Sequence, residues 1–529
     1  MFASRALRAA LSSLLVGLVA TTAACTATDT DAAGGDTDDL TSVTGQARTL
    51  EFVGTVYVAP NATDDAILAT VRRQAQTAFG PLRTAEMAVN SRELKEIDTS
   101  TFVKRIVKVV DGASTREMLE VRYTYKDDAV VAASYANRSA VPLALLHPDY
   151  ASQLDRIMRE CTPNDAHARE FRSSVWYVFE PSLPKCQEAI RAEQQRVDAD
   201  RAALRDPQNE VPKSQVERLY IPITAKLGGD KTNRGDSYPD YHRLYRGGVK
   251  PDKLVVSLVF GLIDHAPNDD RSADPNWREL MTALDLVMDA QGGDFRVVAG
   301  PDEVDLSRFQ LPSGRVVENP SFRDLVKLTT GGSSLGLSSS ERRELRQAFA
   351  ERIYKRWIAV ERPLKVAVGD EAPRDFALQF LVYYGAESDP RPHRYATKNS
   401  DVFIYNGHSS IGYGPLDPRN FSPSDFPSTY QIMWIDGCVS YNYYHKDYIP
   451  LKEGGTKNLD LVTNGVEAPA WLGGTANGKF LVKLLDGNAS SYRDLLLAAR
   501  DTEALRVVDG ELDNEFDKSN PAFRVRIFR

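Results

Sequence analysis

Between Thr49 and Ala59 the chain reads TLEFVGTVYVA, a β-branched and aromatic stretch that predicts a strand. Thr63 then stands where it can cap a helix that carries Ile67 and Val71 and runs to Gly80. TFVKRIVKVV and EMLEVRYTY predict two more strands, separated by DGAST, whose glycine suits a turn. SSVWYVFEP predicts another strand, and KCQEAIRAEQQRVDADRAAL an amphipathic helix. Residues 48–217 therefore read as an α+β domain with a mainly antiparallel sheet.

The pattern changes after LRDPQNEVPKSQ (Leu204 to Gln215), whose polar and proline residues mark a boundary, so 218–529 read as a second domain. There, DKLVVSLVFGLIDH (Asp252 to His265) is a continuous apolar run of the kind buried on both faces of a parallel sheet. The helical NWRELMTALDLVMDA and the short strand FRVVA follow, which completes a β-α-β unit. After the Gly/Ser-rich TTGGSSLGLSSS, Ser338 and Glu341 have the spacing of a capping box on a helix reaching Ile358, with Leu345, Phe349 and Ile353 as its apolar stripe. FALQFLVYY, DVFIY, YQIMWI and LDLVT supply four more strands and SYRDLLLAAR a late helix. The expected fold is α/β, a mainly parallel sheet flanked by helices.

Composition narrows the function. The chain has 529 residues, 42% apolar and 26% charged, enough to bury a core in two or three domains. Its net charge of -8, from 65 basic and 73 acidic residues without a Lys/Arg-rich run, argues against a nucleic-acid partner. Met1 to Ala24 has the build of a signal peptide: Arg5 and Arg8, the apolar AALSSLLVGLVA, then Ala23 and Ala24 before Cys25. TTAAC resembles the lipobox of bacterial lipoproteins, with Thr22 where that family usually has Leu. The resemblance implies an exported protein of the cell envelope, anchored to a bacterial membrane by lipid on Cys25; the alternative is a soluble secreted protein cut near Ala24. Residues 25–47 are polar and acidic, as a flexible tether must be. If Cys25 carries lipid in an oxidising compartment, Cys161 and Cys186 are the natural disulfide partners. Cys438 is then left over, as a buried inert thiol or a nucleophile.

Candidate chemistry gathers where two apolar runs stop. His408 comes three residues after DVFIY and Cys438 three after YQIMWI, and functional groups in open α/β sheets collect beyond the carboxyl ends of strands. Equal offsets put both side chains on one edge if the strands are parallel neighbours, where an imidazole can turn a thiol into a thiolate. Gly407 and Gly437, just before them, permit tight turns. YNGHSSIG and WIDGCVSY resemble, in placement, order and separation, the motifs of the caspase and gingipain superfamily of cysteine peptidases, over roughly Lys253 to Arg500. That resemblance implies a caspase-like fold and a cysteine endopeptidase acting on peptide or protein substrates without a cofactor. It makes His408 the base and Cys438 the nucleophile, with the Cys438 amide in an oxyanion hole. The family's Gly after the His is Ser409 here, which leaves the second oxyanion donor open. The resemblance also sets NGVEAPAW beside the specificity pocket, which singles out Glu467 and Trp471, although core packing is the ordinary expectation for Trp471.

Other readings compete. GHSSIG resembles the serine-hydrolase elbow, with Ser409 as nucleophile, but Ile411 stands where a small residue is required. DGCVS resembles the L,D-transpeptidase motif of cell-wall acyl transferases, but Asp436 replaces its His and the thiol loses its base. A non-catalytic, lipid-anchored binding or scaffold module of caspase-like fold, with His408 packed and Cys438 inert, is the alternative from another class. Asp264, at a strand end, is a candidate to orient His408, whereas His147, His167 and His445 read as packing or loop residues. No metal-binding spacing occurs among the seven His and four Cys.

Overall fold

The run KLVVSLVFG, Lys253–Gly261, is buried at every residue after the first, and its place follows from that: it lies in the middle of a sheet with a strand on either side. The computed structural model describes residues 40–264, 270–293, 295–333, 335–385, 388–500 and 504–528. The signal peptide, Cys25, most of the tether and His265 lie outside the described residues.

Five strands run parallel in the centre of the larger sheet, in the order Arg374–Gly385, Lys253–Gly261, Val402–Asn406, Gln431–Asp436, Leu459–Asn464. Their flanks are different. Trp357–Val368 is antiparallel to Arg374–Gly385, and Arg506–Asp509 and Leu40–Ser42 are antiparallel additions at the other side. The described sheet of eleven strands is therefore mixed, which corrects the expectation of a mainly parallel one. Connection length is the reason: Trp357–Val368 and Arg374–Gly385 are joined by a short turn at Gly369 (φ 57°), and a parallel pair needs a crossover of a dozen residues or more.

Two local expectations fail with it. The helix from the Ser338 capping box ends at Ile353 rather than Ile358, and the residues beyond it enter the unforeseen strand Trp357–Val368. Pro363 hides that strand from a sequence reading, because proline gives no N–H to a ladder. In the structure it falls in the gap between two short neighbours, Arg296–Val298 and Val525–Phe528. Arg296–Val298 thus pairs antiparallel at the sheet's margin and does not complete a β-α-β unit with Lys253–Gly261.

The first module holds a second, mainly antiparallel sheet of seven described strands, as expected. Its strand Tyr220–Leu227 lies past the boundary drawn at Glu217, and Leu40–Ser42, inside the stretch read as tether, is a strand of the larger sheet. SSVWYVFEP is not a strand: Val175–Val178 is a helical turn buried on all sides, Trp176 and Tyr177 packing on Phe79 with ring centroids 5.3 and 5.4 Å away. A short run buried all round carries no periodicity, so packing decides its conformation. Cys161 and Cys186 form the expected disulfide across 25 positions, with Cα atoms 4.7 Å apart.

Alternation along the parallel strands divides the core in two. Leu254, Val256, Ile404, Ile432 and Trp434 pack with the helices Pro275–Gln291, Phe322–Thr330, Ser339–Ile353 and Gly473–Leu484. Val255, Phe403, Tyr405, Met433 and Ile435, on the other face, share one hydrophobic cluster with Phe52, Val71, Phe79 and Trp176 of the first module. The first module is therefore the second layer of the larger sheet. Among the described residues no helix is long and apolar enough to cross a membrane.

Candidate active site

Val402–Asn406 and Gln431–Asp436 are parallel neighbours with Asn406 opposite Asp436, so His408 and Cys438 each stand two residues beyond the same rung of the ladder. The two loops touch at once. A side chain at Gly437 would place its Cβ 3.2 Å from the Gly407 carbonyl oxygen, which is why a glycine stands there. Ser409 Oγ donates to the Cys438 carbonyl, Tyr405 OH donates to the His408 carbonyl at 2.8 Å, and Tyr444 OH to that of Ser409 at 3.0 Å. The Ser409 hydroxyl is thus buried and engaged in tying the loops.

Backbone conformation marks the same place. Val439, next to Cys438, has φ 52°, and Ser410 and Ile411, just past His408, have φ 49° and 52°. A left-handed β-branched residue costs free energy, and such residues persist where the surroundings over-determine them, commonly at functional sites.

His408 and Cys438 line one cavity of about 70 Å³, whose far wall is Ala468, Pro469, Ala470 and Gly473. His408 Nε2 lies 3.1 Å from the Ile263 carbonyl oxygen. A carbonyl only accepts, so Nε2 carries hydrogen, and the lone pair of the neutral ring is on Nδ1. The Cys438 thiol donates to the Ala468 carbonyl at 3.8 Å. Burial above all, and then the Glu467 carboxylate, push its pKa up to about 11, against the opposing pull of the Ala468 bond and Arg83. In this resting arrangement the sulfur is a thiol at neutral pH. Larger hollows exist, one of about 250 Å³ beside Tyr57, Glu120 and His147 of the first module, but they hold no candidate nucleophile. His147 Nδ1 there accepts from the Asp149 N–H, and burial lowers its pKa.

Beneath the cavity lies a polar cage that the sequence reading missed. Asp436 Oδ1 accepts from Asn464 Nδ2 at 2.8 Å, and Oδ2 from Asn477 Nδ2 at 2.9 Å and Asn406 Nδ2 at 3.3 Å, with Arg506 Nη2 3.8 Å from Oδ1. All five side chains are buried. Gly473 makes room for it, since a Cβ there would fall 1.9 Å from Asn406 Nδ2. The signal was present in the sequence: three neighbouring parallel strands end in Asn406-Gly407, Asp436-Gly437 and Asn464-Gly465. In the L,D-transpeptidase comparison Asp436 stands in the place of a base; here it is spent on the cage.

The remaining candidates separate. The bond to His408 comes from the Ile263 carbonyl, one residue before Asp264, whose own amide donates to Asp274 Oδ2 at 2.9 Å while its side chain is exposed. Trp471 is 70% exposed, which corrects the expectation of core packing: the segment it belongs to forms the rim of the cavity. Glu467 pairs with Arg83 of the first module at 2.6 Å and accepts from Tyr177 OH at 3.3 Å, partners that no local pattern announces. His445 is buried, with Nε2 3.0 Å from Asp509 Oδ2, away from the cavity lining.

Glu467 gives a direct electrostatic prediction. A carboxylate disfavours a neighbouring thiolate, so Glu467→Gln lowers the Cys438 pKa and moves the pH profile of its alkylation rate to lower pH. Arg83→Ala, which removes a cation, moves it the other way. Stopped-flow alkylation across pH reads both shifts, and an unchanged Glu467→Gln profile would refute the coupling.

No protein-family model, curated protein or solved structure matches the chain, so its resemblance to the caspase and gingipain superfamily rests on the residues around His408 and Cys438 alone.

Proposed function

We propose that the protein is an exported, lipid-anchored cysteine peptidase that hydrolyses peptide bonds with His408 as base and Cys438 as nucleophile. The observation that carries this reading is the lining of one cavity by both side chains, each two residues beyond the same rung of adjacent parallel strands. His408 Nδ1 takes the thiol proton as sulfur attacks the substrate carbonyl, and the Cys438 amide supports the oxyanion. The C–N bond breaks, the imidazolium returns the proton to the leaving amine, and water then hydrolyses the thioester with His408 again as base. Throughout, Nε2–H stays on the Ile263 carbonyl, which fixes the orientation of the ring. Burial holds the resting sulfur as a thiol, so the base must take its proton for attack to occur. The cavity of about 70 Å³ is small beside a ligand pocket of about 300–1,000 Å³, so it can take only a small part of a peptide substrate. The charged and apolar start of the chain and TTAAC before the tether support export and a lipid anchor on Cys25.

A second reading, a lipid-anchored binding module without catalysis, is favoured by the raised thiol pKa. Labelling of the folded protein with a thiol-directed electrophile across pH separates the two. The peptidase reading expects labelling near pH 7 that vanishes in Cys438→Ala and slows sharply in His408→Ala. Labelling only after denaturation refutes it and leaves the binding module.

A further inference from the structure

One cation of the first module reaches both loops of the candidate site. Arg92 Nη1 donates to the carbonyl of Gly412, four residues past His408, and Nη2 to that of Tyr443, five past Cys438, at 3.0 Å. Asp417 and Asp447 lie 3.3 and 3.6 Å from the same guanidinium, and the ring of Tyr413 is under it, 5.4 Å from centroid to Cζ. The side chain is 18% exposed, so these contacts are weakly screened by solvent.

The segment that presents Arg92 is built for it. Glu93 and Leu94 are consecutive left-handed residues, each with φ 55°, and both are buried. Gln76 Nε2 donates to Glu93 at 2.6 Å and Lys95 pairs with it, which pins the turn from behind. Gly412 directly follows left-handed Ile411, and Tyr443 belongs to the short helix Ser440–Tyr444 that left-handed Val439 opens. A planar fork of donors can hold two loops at a fixed separation, which a single ammonium cannot.

We propose that Arg92 is a positioning residue that fixes the loop after His408 against the helix after Cys438, making the first module a permanent part of the site and not a cover to be removed. This rests on the His408/Cys438 reading given above. The observable is the ratio of Cys438 alkylation rates with and without the imidazole, taken at neutral pH in two backgrounds. If Arg92 sets the geometry, His408→Ala slows alkylation in the native background but changes it little in Arg92→Ala, a coupling of about tenfold. Arg92→Lys, which keeps a charge beside Asp417 and Asp447 and so guards against simple unfolding, falls between. Lys446→Ala, which breaks the Glu96 pair on the same interface, leaves the ratio at its native value. A ratio undiminished in Arg92→Ala and Arg92→Lys overturns the positioning role. Absence of any His408 effect in the native background overturns the underlying dyad instead, so the two failures are distinguishable.

Discussion

His408→Ala is expected to lower peptide hydrolysis at pH 7 by about 10²–10⁴-fold, and Cys438→Ala to abolish it. The size follows from the sulfur's surroundings. With its pKa at about 11, the thiol is ionised to only about one part in 10⁴ at pH 7, so nearly every productive attack must borrow a base. His408 lines the same cavity, with Nε2–H donated to the Ile263 carbonyl, so that Nδ1 is the basic nitrogen of the neutral ring. The pH profiles carry the discriminating detail. The His408→Ala rate should climb with pH toward 11 as hydroxide replaces the base, a steeper dependence than that of the native protein. Fluorogenic peptide libraries at pH 6 to 10 read both. Equal rates for native and His408→Ala at neutral pH would remove His408 from the chemistry.

Asp436→Leu should destabilise the fold by about 3–5 kcal/mol, because it breaks a buried ionic group by deleting one side of it. Asn464, Asn477 and Asn406 would each lose an acceptor, and Arg506 its carboxylate, and all four side chains are buried. Leucine has the same branched skeleton as aspartate with larger methyl groups in place of the oxygens, so the change leaves no cavity and removes the acceptors. Asp436→Asn should cost less, since it keeps one acceptor oxygen while setting an NH₂ against donors. Urea unfolding with an unchanged slope and a lowered midpoint is the expected signature. A midpoint shift near zero would mean that the amides and guanidinium find water or each other, and the cage would then not be what holds the three strand ends together.

What could be read in the sequence depended on whether the signal was local. Lys253–Gly261 shows itself because burial on both faces leaves no polar residue in the run. The shared edge of His408 and Cys438 shows itself because two apolar runs of similar length stop at similar offsets. The Ser338–Glu341 capping box is a contiguous motif and forms as expected. Trp357–Val368 stayed hidden because Pro363 contradicts a strand locally, and only its position between two short neighbours makes it acceptable. Val175–Val178 was misread because four buried residues carry no period. Trp471 was assigned to the core on the habit of large aromatic residues, whereas it sits at a rim. The contacts of Arg83 and Arg92 with the second module join residues more than three hundred positions apart, and no pattern within a segment encodes them.

The strand Leu40–Ser42 has a consequence for how the molecule is made. It pairs with Arg506–Asp509, and Ser42 Oγ donates to the Arg506 carbonyl across 464 positions of sequence. Arg506 is also the residue that meets Asp436 beneath the cavity. A strand near position 40 is therefore completed by one near position 506, and the sheet edge beside the candidate site closes only when both are in place. Contacts of such high order form slowly and leave strand edges exposed meanwhile. The edge that carries Arg506 beneath the candidate site is therefore expected to close late in folding.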